Sequence, residues 1–178
     1  VTRMHVTTAP AVIRNFVLLR KGERCSPLLR SESERILRAM PFIADANVTA
    51  YRDGMDGVRV EVVTVDEPSL IGSVGLENDA PFLTGLTVGT QNLLGNAVFA
   101  SASWRDGFFY RDRYAGRYTN YQLFGKPYQL QLAAARRELG GDWEAEVAYP
   151  FLTDVQKSAW RVSGGEIDEY ARFLRPGG

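Results

Sequence analysis

The sequence has very few of the residues on which most enzyme and metal sites depend. It contains one cysteine, Cys25, and one histidine, His5, in 178 residues. A single cysteine excludes an internal disulfide and any metal motif built from several cysteines, and it is more typical of a small packed side chain. A single histidine leaves no second histidine for a dyad or a paired metal ligand. We therefore expect no metal and no cofactor.

An excess of charge of one sign and long apolar runs are also lacking. The 21 basic and 21 acidic residues give a net charge of zero and are spread along the chain, so nothing favours nucleic acid as a partner. No apolar run approaches the roughly 20 residues that a membrane helix requires. The sequence also lacks a glycine-rich phosphate loop, Gly-x-Ser-x-Gly and His-Glu-x-x-His, so we expect no enzymatic activity.

A short β-rich segment over 1–8 and a helix over about 10–20 are predicted at the start of the chain. Thr8 stands where a helix N-cap is expected, and Pro10 falls in the first turn, where its missing N–H is not needed. Apolar residues then recur with the spacing of one helical face. Gly22 supplies the stop signal.

A second helix and a hairpin are predicted next. Ser31 and Glu34 fit the Ser-x-x-Glu capping box, which predicts that the helix begins there, and Pro41 ends it. Residues with period-two alternation flank a glycine-containing loop over 53–57, which predicts an antiparallel hairpin. The first half therefore follows the order β-α-α-β-β. The expected buried face of the second helix is Ile36, Leu37 and Met40.

After Pro68 the sequence alternates between strand and turn signals. The last of these segments could also be a helix, because some of its apolar residues fit helical spacing. The predicted strands are 70–77, 83–91, 97–105, 110–122, 128–138, 143–149 and 159–173.

Each predicted strand has one apolar or aromatic face and one polar face. A soluble antiparallel sheet with one wet face explains this pattern, and so does an outer-membrane barrel with lipid outside and water inside. The longest strands approach the about 9–11 residues of a spanning strand, and aromatic groups stand at both ends, as interfacial girdles require. The sequence pattern alone leaves both explanations open. The two aromatic groups are Phe108, Phe109 and Tyr110 at one end, and Tyr118, Tyr121, Phe124 and Tyr128 at the other.

Several segments match a known family. The first half resembles a POTRA domain in "VLLRKGE", "SESERILRAMPFIADANV" and "DGVRVEVVTVDE". The second half resembles the opening of the bacterial surface antigen barrel of the BamA- and TamA-type outer-membrane assembly family in "GTQNLLGNAVFASASW", "YQLFGKPYQLQL" and "VAYPFLTD". The resemblance implies an α+β POTRA domain over 1–67, followed over 68–178 by antiparallel transmembrane β-barrel strands. Six or seven strands are fewer than the about sixteen that we expect of such a barrel, so the barrel would be incomplete.

The resemblance also implies a function and a location. The chain would be part of an outer-membrane protein assembly or translocation factor, with its N-terminal domain in the periplasm and no covalent catalysis. Its partners would be unfolded outer-membrane or secreted client proteins, periplasmic accessory factors and membrane lipid. Clients would dock by β-augmentation, and a glycine-weakened strand would form a seam that opens. A proline at Thr49 is expected to weaken client binding.

These expectations name specific residues. The edge strand that docks clients would be Asn47, Val48, Thr49, Ala50, Tyr51 and Arg52. The seam strand would contain Leu70, Ile71, Gly72, Gly75 and Leu76. Compact turns on the periplasmic side would contain Asn92, Leu93, Leu94, Gly95, Phe124, Gly125, Pro127, Pro150 and Phe151. Charges facing a wet lumen would be Arg113, Arg117, Glu144 and Glu146.

Three other functions compete with this interpretation. Glu144 and Glu146 could in principle form a glycosidase pair, although lumen-facing acids explain them better. A soluble β-rich carrier for an apolar ligand predicts a monodisperse monomer without detergent. A barrel that anchors a patatin-type enzyme requires a catalytic domain elsewhere in a longer protein.

Overall fold

The structure, a computed structural model, describes residues 6–55, 57–76, 83–107 and 111–170. Within these ranges it contains two helices, nine strands and one short 3₁₀ turn at Leu93–Gly95. The helices are α1 (Pro10–Phe16) and α2 (Pro27–Arg38). The strands are β1 (Ile43–Asp53), β2 (Gly57–Asp66), β3 (Leu70–Leu76), β4 (Leu83–Thr90), β5 (Val98–Arg105), β6 (Arg113–Leu123), β7 (Tyr128–Arg137), β8 (Gly140–Tyr149) and β9 (Trp160–Glu169).

Helix α1 is shorter than predicted, and Thr8 is not its cap. The N-cap is Ala9, which has no side-chain capping bond, and the helix ends at Phe16 rather than near residue 20. The Thr8 hydroxyl donates instead to the carboxylate of Asp66 at the end of β2. Thr8 therefore joins the start of the chain to the hairpin.

The predicted start of α2 is also wrong. The helix begins at Pro27, with Ser26 as N-cap, so proline at the first helical position is the signal that applies. Ser31 lies inside the helix, where its hydroxyl donates to the carbonyl of Leu28 at 3.0 Å. The apparent capping box is thus a helix-interior pattern that happens to fit the same spacing.

Strands β1 and β2 form the predicted hairpin. They pair antiparallel from Asp53↔Gly57 at the turn to Ile43↔Asp66 at the open end. The prediction of a hairpin is confirmed, with β1 ending at Asp53 and β2 beginning at Gly57; residue 56 of the predicted loop lies outside the described residues.

The remaining strands form one antiparallel sheet in sequence order, β3-β4-β5-β6-β7-β8-β9. The strand prediction for 159–173 is confirmed over Trp160–Glu169, and the helical alternative is wrong for those residues. Strand β8 begins at Gly140, three residues before the predicted start at Trp143. For the strand predicted over 110–122, which corresponds to β6, the predicted start at residue 110 lies outside the described residues.

The predicted fold class is wrong. The described residues form two sheets and two short helices, and the sheet of the first half has two strands instead of the expected POTRA arrangement β-α-α-β-β. Residues 6–9 are not in a strand, and 1–5 lie outside the described residues. Among the residues that the structure describes, the larger sheet is open, because β3 and β9 are its edges and do not pair with each other. Period-two alternation identifies strands and their faces, but it does not determine how many strands join a sheet or whether the sheet closes.

The hydrophobic core lies between the two helices, the β1–β2 hairpin and one end of the larger sheet. The larger sheet adds Ala97, next to β5, and Tyr121 of β6 to this core. The predicted buried face of α2 is confirmed for Ile36 and Leu37, whereas Met40 is buried but lies beyond the end of the helix at Arg38. We call residues 6–67, with this core, the helical unit. The fully or nearly buried apolar residues are Val12, Phe16, Ile36, Leu37, Met40, Phe42, Ile43, Ala46, Val48 and Ala97.

Candidate functional site

One face of the seven-stranded sheet is apolar over most of its width, although Arg136, beside Tyr114, and Glu166, beside Trp143, also lie on it. Pairing places Leu86, Trp104 and Tyr114 side by side on this face. The next row contains Val88, Ala102, Gly116, Ala134 and Trp143. Further rows add Tyr118, Leu132, Ala145, Leu130, Val147 and Val162. We call these residues, with Leu70 and Val74 of β3 and Trp160 of β9, the apolar face.

Much of the apolar face is exposed. Val88, near its middle, is 52% exposed, and Trp143 is 50% exposed. Monomeric soluble proteins rarely present a large contiguous apolar surface, and such surfaces are typical of contact with a partner or with a membrane.

All three tryptophans of the chain, Trp104, Trp143 and Trp160, lie on the apolar face. Trp104 lies near one end of the strands and donates from Nε1 to Asp112 at 2.8 Å. Trp160 lies near the other end, beside the ring of Tyr128 at 5.9 Å between centroids. Tryptophan thus occurs at both ends of this face. Of the predicted aromatic groups, residues 108–110 lie outside the described residues.

The opposite face carries the four charges predicted to face a lumen. Arg117 and Glu144 both lie in register with Ala133, so they stand in one row across β6, β7 and β8. Glu146 pairs with Arg161 at 3.2 Å. Arg113 lies 3.6 Å from Glu138, measured from Nε to Oε1. Within the described residues these charges line an open sheet face rather than an enclosed lumen.

The sheet is concave at the end where β3 stops. A concavity of about 1290 Å³ there is lined by residues of both edge strands, including Ser73 and Glu169. Arg113 also lines it.

The predicted seam strand corresponds to β3, which is an edge of the sheet. A Cβ added at Gly72 would meet no atom within 4 Å. Gly75 lies opposite Gly85 of β4, and a Cβ there would come within 3.0 Å of the Thr84 hydroxyl. Of the predicted seam residues, Leu70, Gly72 and Leu76 are exposed and Ile71 is half-buried. Strand β3 pairs with β4 through both glycines, and opening of this edge as a seam stays a prediction.

The three predicted turns all lie at the end of the sheet that meets the helical unit. In the first turn Asn92 is buried, its amide donates to the Thr8 hydroxyl at 2.7 Å, and its Oδ1 accepts from the N–H of Ala97 at 2.9 Å. The N–H of Ala9 donates to the Gly95 carbonyl at 2.9 Å. No sequence pattern predicted this buried network. Leu93 and Leu94 remain exposed in the same turn, Leu94 at 78%.

The other two turns also contact the helical unit. The amide of Asn15 donates to Gln122 at 2.8 Å beside the turn that contains Phe124, Gly125 and Pro127. Phe124 itself is exposed. After β8, in the stretch that contains Pro150 and Phe151, Arg35 donates from Nη2 to the carbonyl of Leu152 at 2.8 Å. The predicted turns are therefore where the sheet and the helical unit join.

Glu32 of α2 contacts the stretch after β8, which is the last of the three predicted turns. Its carboxylate pairs with Arg35 at 2.7 Å and accepts from the Thr153 hydroxyl at 2.6 Å. The hydrogen bonds from Arg35 and then from Thr153 lower the pKa of Glu32 to about 2. Glu32 is thus held as a carboxylate by a contact between the helical unit and the sheet.

Two outward amides of β1, one of them within the predicted client-docking edge, already donate to carboxylates. The N–H of Val48 donates to Glu34 Oε2 at 3.1 Å, and the N–H of Ala46 donates to Asp45 Oδ1 at 2.9 Å. Arg38 contacts both carboxylates at 2.9 Å, which fixes them along this edge. Because β1 pairs with β2 alone within the described residues, these amides lie on its outer edge.

The direction of the Val48 amide determines where a proline would act. Amides alternate along a strand, so those of Ala50 and Arg52 also point outward, whereas that of Thr49 points toward β2. A proline at Thr49 would remove a bond of the β1–β2 ladder and would not test client docking. The predicted position is therefore wrong, and Ala50 is the position at which a proline acts on the outer edge.

No family model and no curated protein matches the chain. Across residues 6–55, 57–76, 83–107 and 111–170, no helix is long and apolar enough to cross a membrane. In the same part of the chain, no three or more histidine, cysteine, aspartate or glutamate side chains are grouped so that they could hold a metal ion.

Proposed function

We propose that this chain is part of a bacterial outer-membrane factor that binds unfolded client proteins and assists their insertion or translocation. Lipid contacts the apolar face, and client segments add as strands at exposed sheet edges. No covalent step is involved. The observation that carries the proposal is the exposed apolar face, set against a polar face on the same seven strands.

Strand dimensions support contact with lipid. Strands β6, β7, β8 and β9 contain 11, 10, 10 and 10 residues. A tilted strand that crosses the hydrocarbon layer needs about 9–11 residues. These four strands are therefore long enough to match the thickness of a bilayer.

The open edges support binding of extended polypeptide. Within the described residues, the outer edges of β3 and β9 have no partner strand. Unpaired N–H and C=O groups are costly in hydrocarbon, so edges placed there require a further strand. An unfolded client presents the backbone groups that such an edge lacks, which is the chemistry of β-augmentation.

Vesicle flotation tests the lipid contact, with the full chain reconstituted into vesicles of phosphatidylethanolamine and phosphatidylglycerol. Val88→Lys places a charge in the middle of the apolar face, and Thr87→Lys places the same charge on the polar face of the same strand. A lysine on a lipid-facing strand costs roughly 2–4 kcal/mol near the midplane, so we expect Val88→Lys to lower the floated fraction at least about tenfold. Thr87→Lys should float like wild type. Equal flotation of the two variants, or a wild-type chain that stays a monodisperse monomer in plain buffer, would refute lipid contact.

Client capture is tested with a fluorescent, urea-unfolded outer-membrane porin diluted onto the full chain in detergent. Ala50→Pro removes an outward amide of β1, whereas Ala50→Val keeps that amide and adds bulk at the same position. We expect Ala50→Pro to weaken capture about tenfold, as loss of one or two backbone bonds implies, with Ala50→Val near wild type. A wild-type chain that captures no porin contradicts the proposed function.

A further inference from the structure

The outer edge of β1 has a closed half and an open half. In the closed half, the amides of Ala46 and Val48 already donate to carboxylates. In the open half, the outward amides of Ala50 and Arg52 donate to no side chain within the described residues. Charged side chains that cover an edge are a common protection against unwanted strand pairing. An added strand can therefore pair only with the open half.

A groove adjoins the open half. It has a volume of about 390 Å³ and lies between the start of α2 and the turn end of the β1–β2 hairpin. Met55, at this turn, is 99% exposed, and Val58 is also exposed. Its lining includes Arg30, Ala50, Arg52, Met55 and Val58.

The charge along this edge changes sign. The groove beside the open half is lined by Arg30 and Arg52, and neither side chain forms an ion pair within the described residues. The closed half carries the carboxylates of Glu34 and Asp45. A guanidinium that lacks an acceptor favours a carboxylate partner, because its bonds to carboxylate are charge-assisted and can be bidentate.

We infer that the open half of β1 binds a short acidic segment of an extended client polypeptide. The segment pairs with the backbone of Ala50 to Arg52 and places its carboxylates beside Arg30 and Arg52. Glu34 ends the pairing at Val48, because its carboxylate occupies the next outward amide. This inference rests on the proposed function and specifies which client segments this edge selects.

Two fluorescein-labelled peptides test the inference against the full chain in detergent, by fluorescence anisotropy. Both alternate valine and threonine over seven residues, and one ends in two aspartates while the other ends in two lysines. We expect the acidic peptide to bind at least about tenfold more tightly at low salt, and less so at high salt, because exposed charges are screened. Arg52→Glu and Arg30→Glu should each remove this preference. Arg14→Glu, which reverses an exposed charge on α1, is the matched control and should leave it unchanged.

Glu34 provides a second, independent pair of variants. Glu34→Ala frees the Val48 amide, and one additional backbone hydrogen bond should tighten binding of the acidic peptide about fivefold. Glu34→Gln keeps an acceptor for that amide and should bind within about twofold of wild type. Circular dichroism monitors folding of both variants. Should Glu34→Ala unfold, Ala50→Pro must still abolish peptide binding, with Ala50→Val as its control.

The outcomes separate the inference from the proposed function. If both peptides bind wild type equally while the unfolded porin is captured and Ala50→Pro weakens that capture, the acidic preference is overturned and the proposed function stands. If the acidic peptide binds as expected but the porin is not captured, peptide binding at the open half of β1 is supported and the proposed function is refuted.

Discussion

The helical unit and the seven-stranded sheet are built from similar apolar residues but bury them very differently. Leu37 of α2 is 0% exposed and packs in a core with Val12 and Phe42, whereas Leu86 of β4 is 40% exposed. The helical unit therefore has an interior of its own. The sheet lacks one over most of its width within the described residues, so its apolar face depends on what surrounds it. The comparison shows that the same apolar composition can specify either a self-contained core or a surface that needs a partner.

The largest expected difference comes from the same substitution in the two regions. Leu37→Ala leaves a cavity in a packed core and should lower the free energy of unfolding by about 2–5 kcal/mol. Leu86→Ala removes a side chain from an exposed face and should cost less than about 1 kcal/mol in detergent, from strand propensity alone. Guanidinium titration of the full chain, followed by circular dichroism, measures both values. Similar losses would mean that the sheet has a core of its own.

The next largest effect lies at the junction of the two regions. A Cβ at Gly95 would clash with the carbonyl oxygen of Thr7, and Gly95 has φ +76°. Gly125 has a similar φ of +67°, but the nearest atom is 3.9 Å away. Gly125→Ala should thus cost about 1–2 kcal/mol for its left-handed backbone, and Gly95→Ala measurably more, because its backbone must also move. Thermal melts of both variants test this, and equal losses would argue against close contact between turn and helical unit.

The smallest expected effect is the pH dependence of the stability that Glu32 contributes at the junction of the two regions. Because the pKa of Glu32 is lowered from 4.5 to about 2, its contribution is present above about pH 4.5 and is lost as the pH falls toward 2. Glu32→Gln should flatten the decline in stability between pH 5 and pH 2, which denaturant titrations at several pH values will measure. Glu61→Gln, on exposed β2, is the control and should keep the wild-type slope. If the stability of Glu32→Gln declined between pH 5 and pH 2 as steeply as that of wild type, the Glu32 contact would not stabilise the junction in this pH range.

Much of the secondary structure could be predicted from sequence because its signals are local. Alternation located every strand of the larger sheet to within a few residues, and the loop at 53–57 located the hairpin. The start of α2 was missed because Ser31 and Glu34 satisfy the capping-box spacing while Pro27 provides the actual start. The fold class was missed because strand number and closure depend on pairing between distant residues, which a period cannot encode.

The sequence could predict which residues of the candidate site share a face of the sheet, but not which residues contact each other. Parity alone assigned Arg117 and Glu144 to the polar face. Glu34 protects β1 through a hydrogen bond with Val48, which is 14 positions away in the chain. The buried Asn92 forms a hydrogen bond with Thr8, which is 84 positions away. Neither separation leaves a sequence pattern. Glu34 fitted a helix cap in the sequence, but in the structure its carboxylate accepts a hydrogen bond from an amide on the outer edge of β1.

Quenching of tryptophan fluorescence by lipids brominated along the acyl chain tests the central claim most directly, since Trp104, Trp143 and Trp160 are all the tryptophans present and share the apolar face. The full chain is reconstituted into vesicles with and without brominated lipid, and aqueous acrylamide serves as the opposing quencher. Lipid contact predicts strong quenching by bromine and weak quenching by acrylamide. Strong quenching by acrylamide with none by bromine would show that the apolar face does not contact lipid.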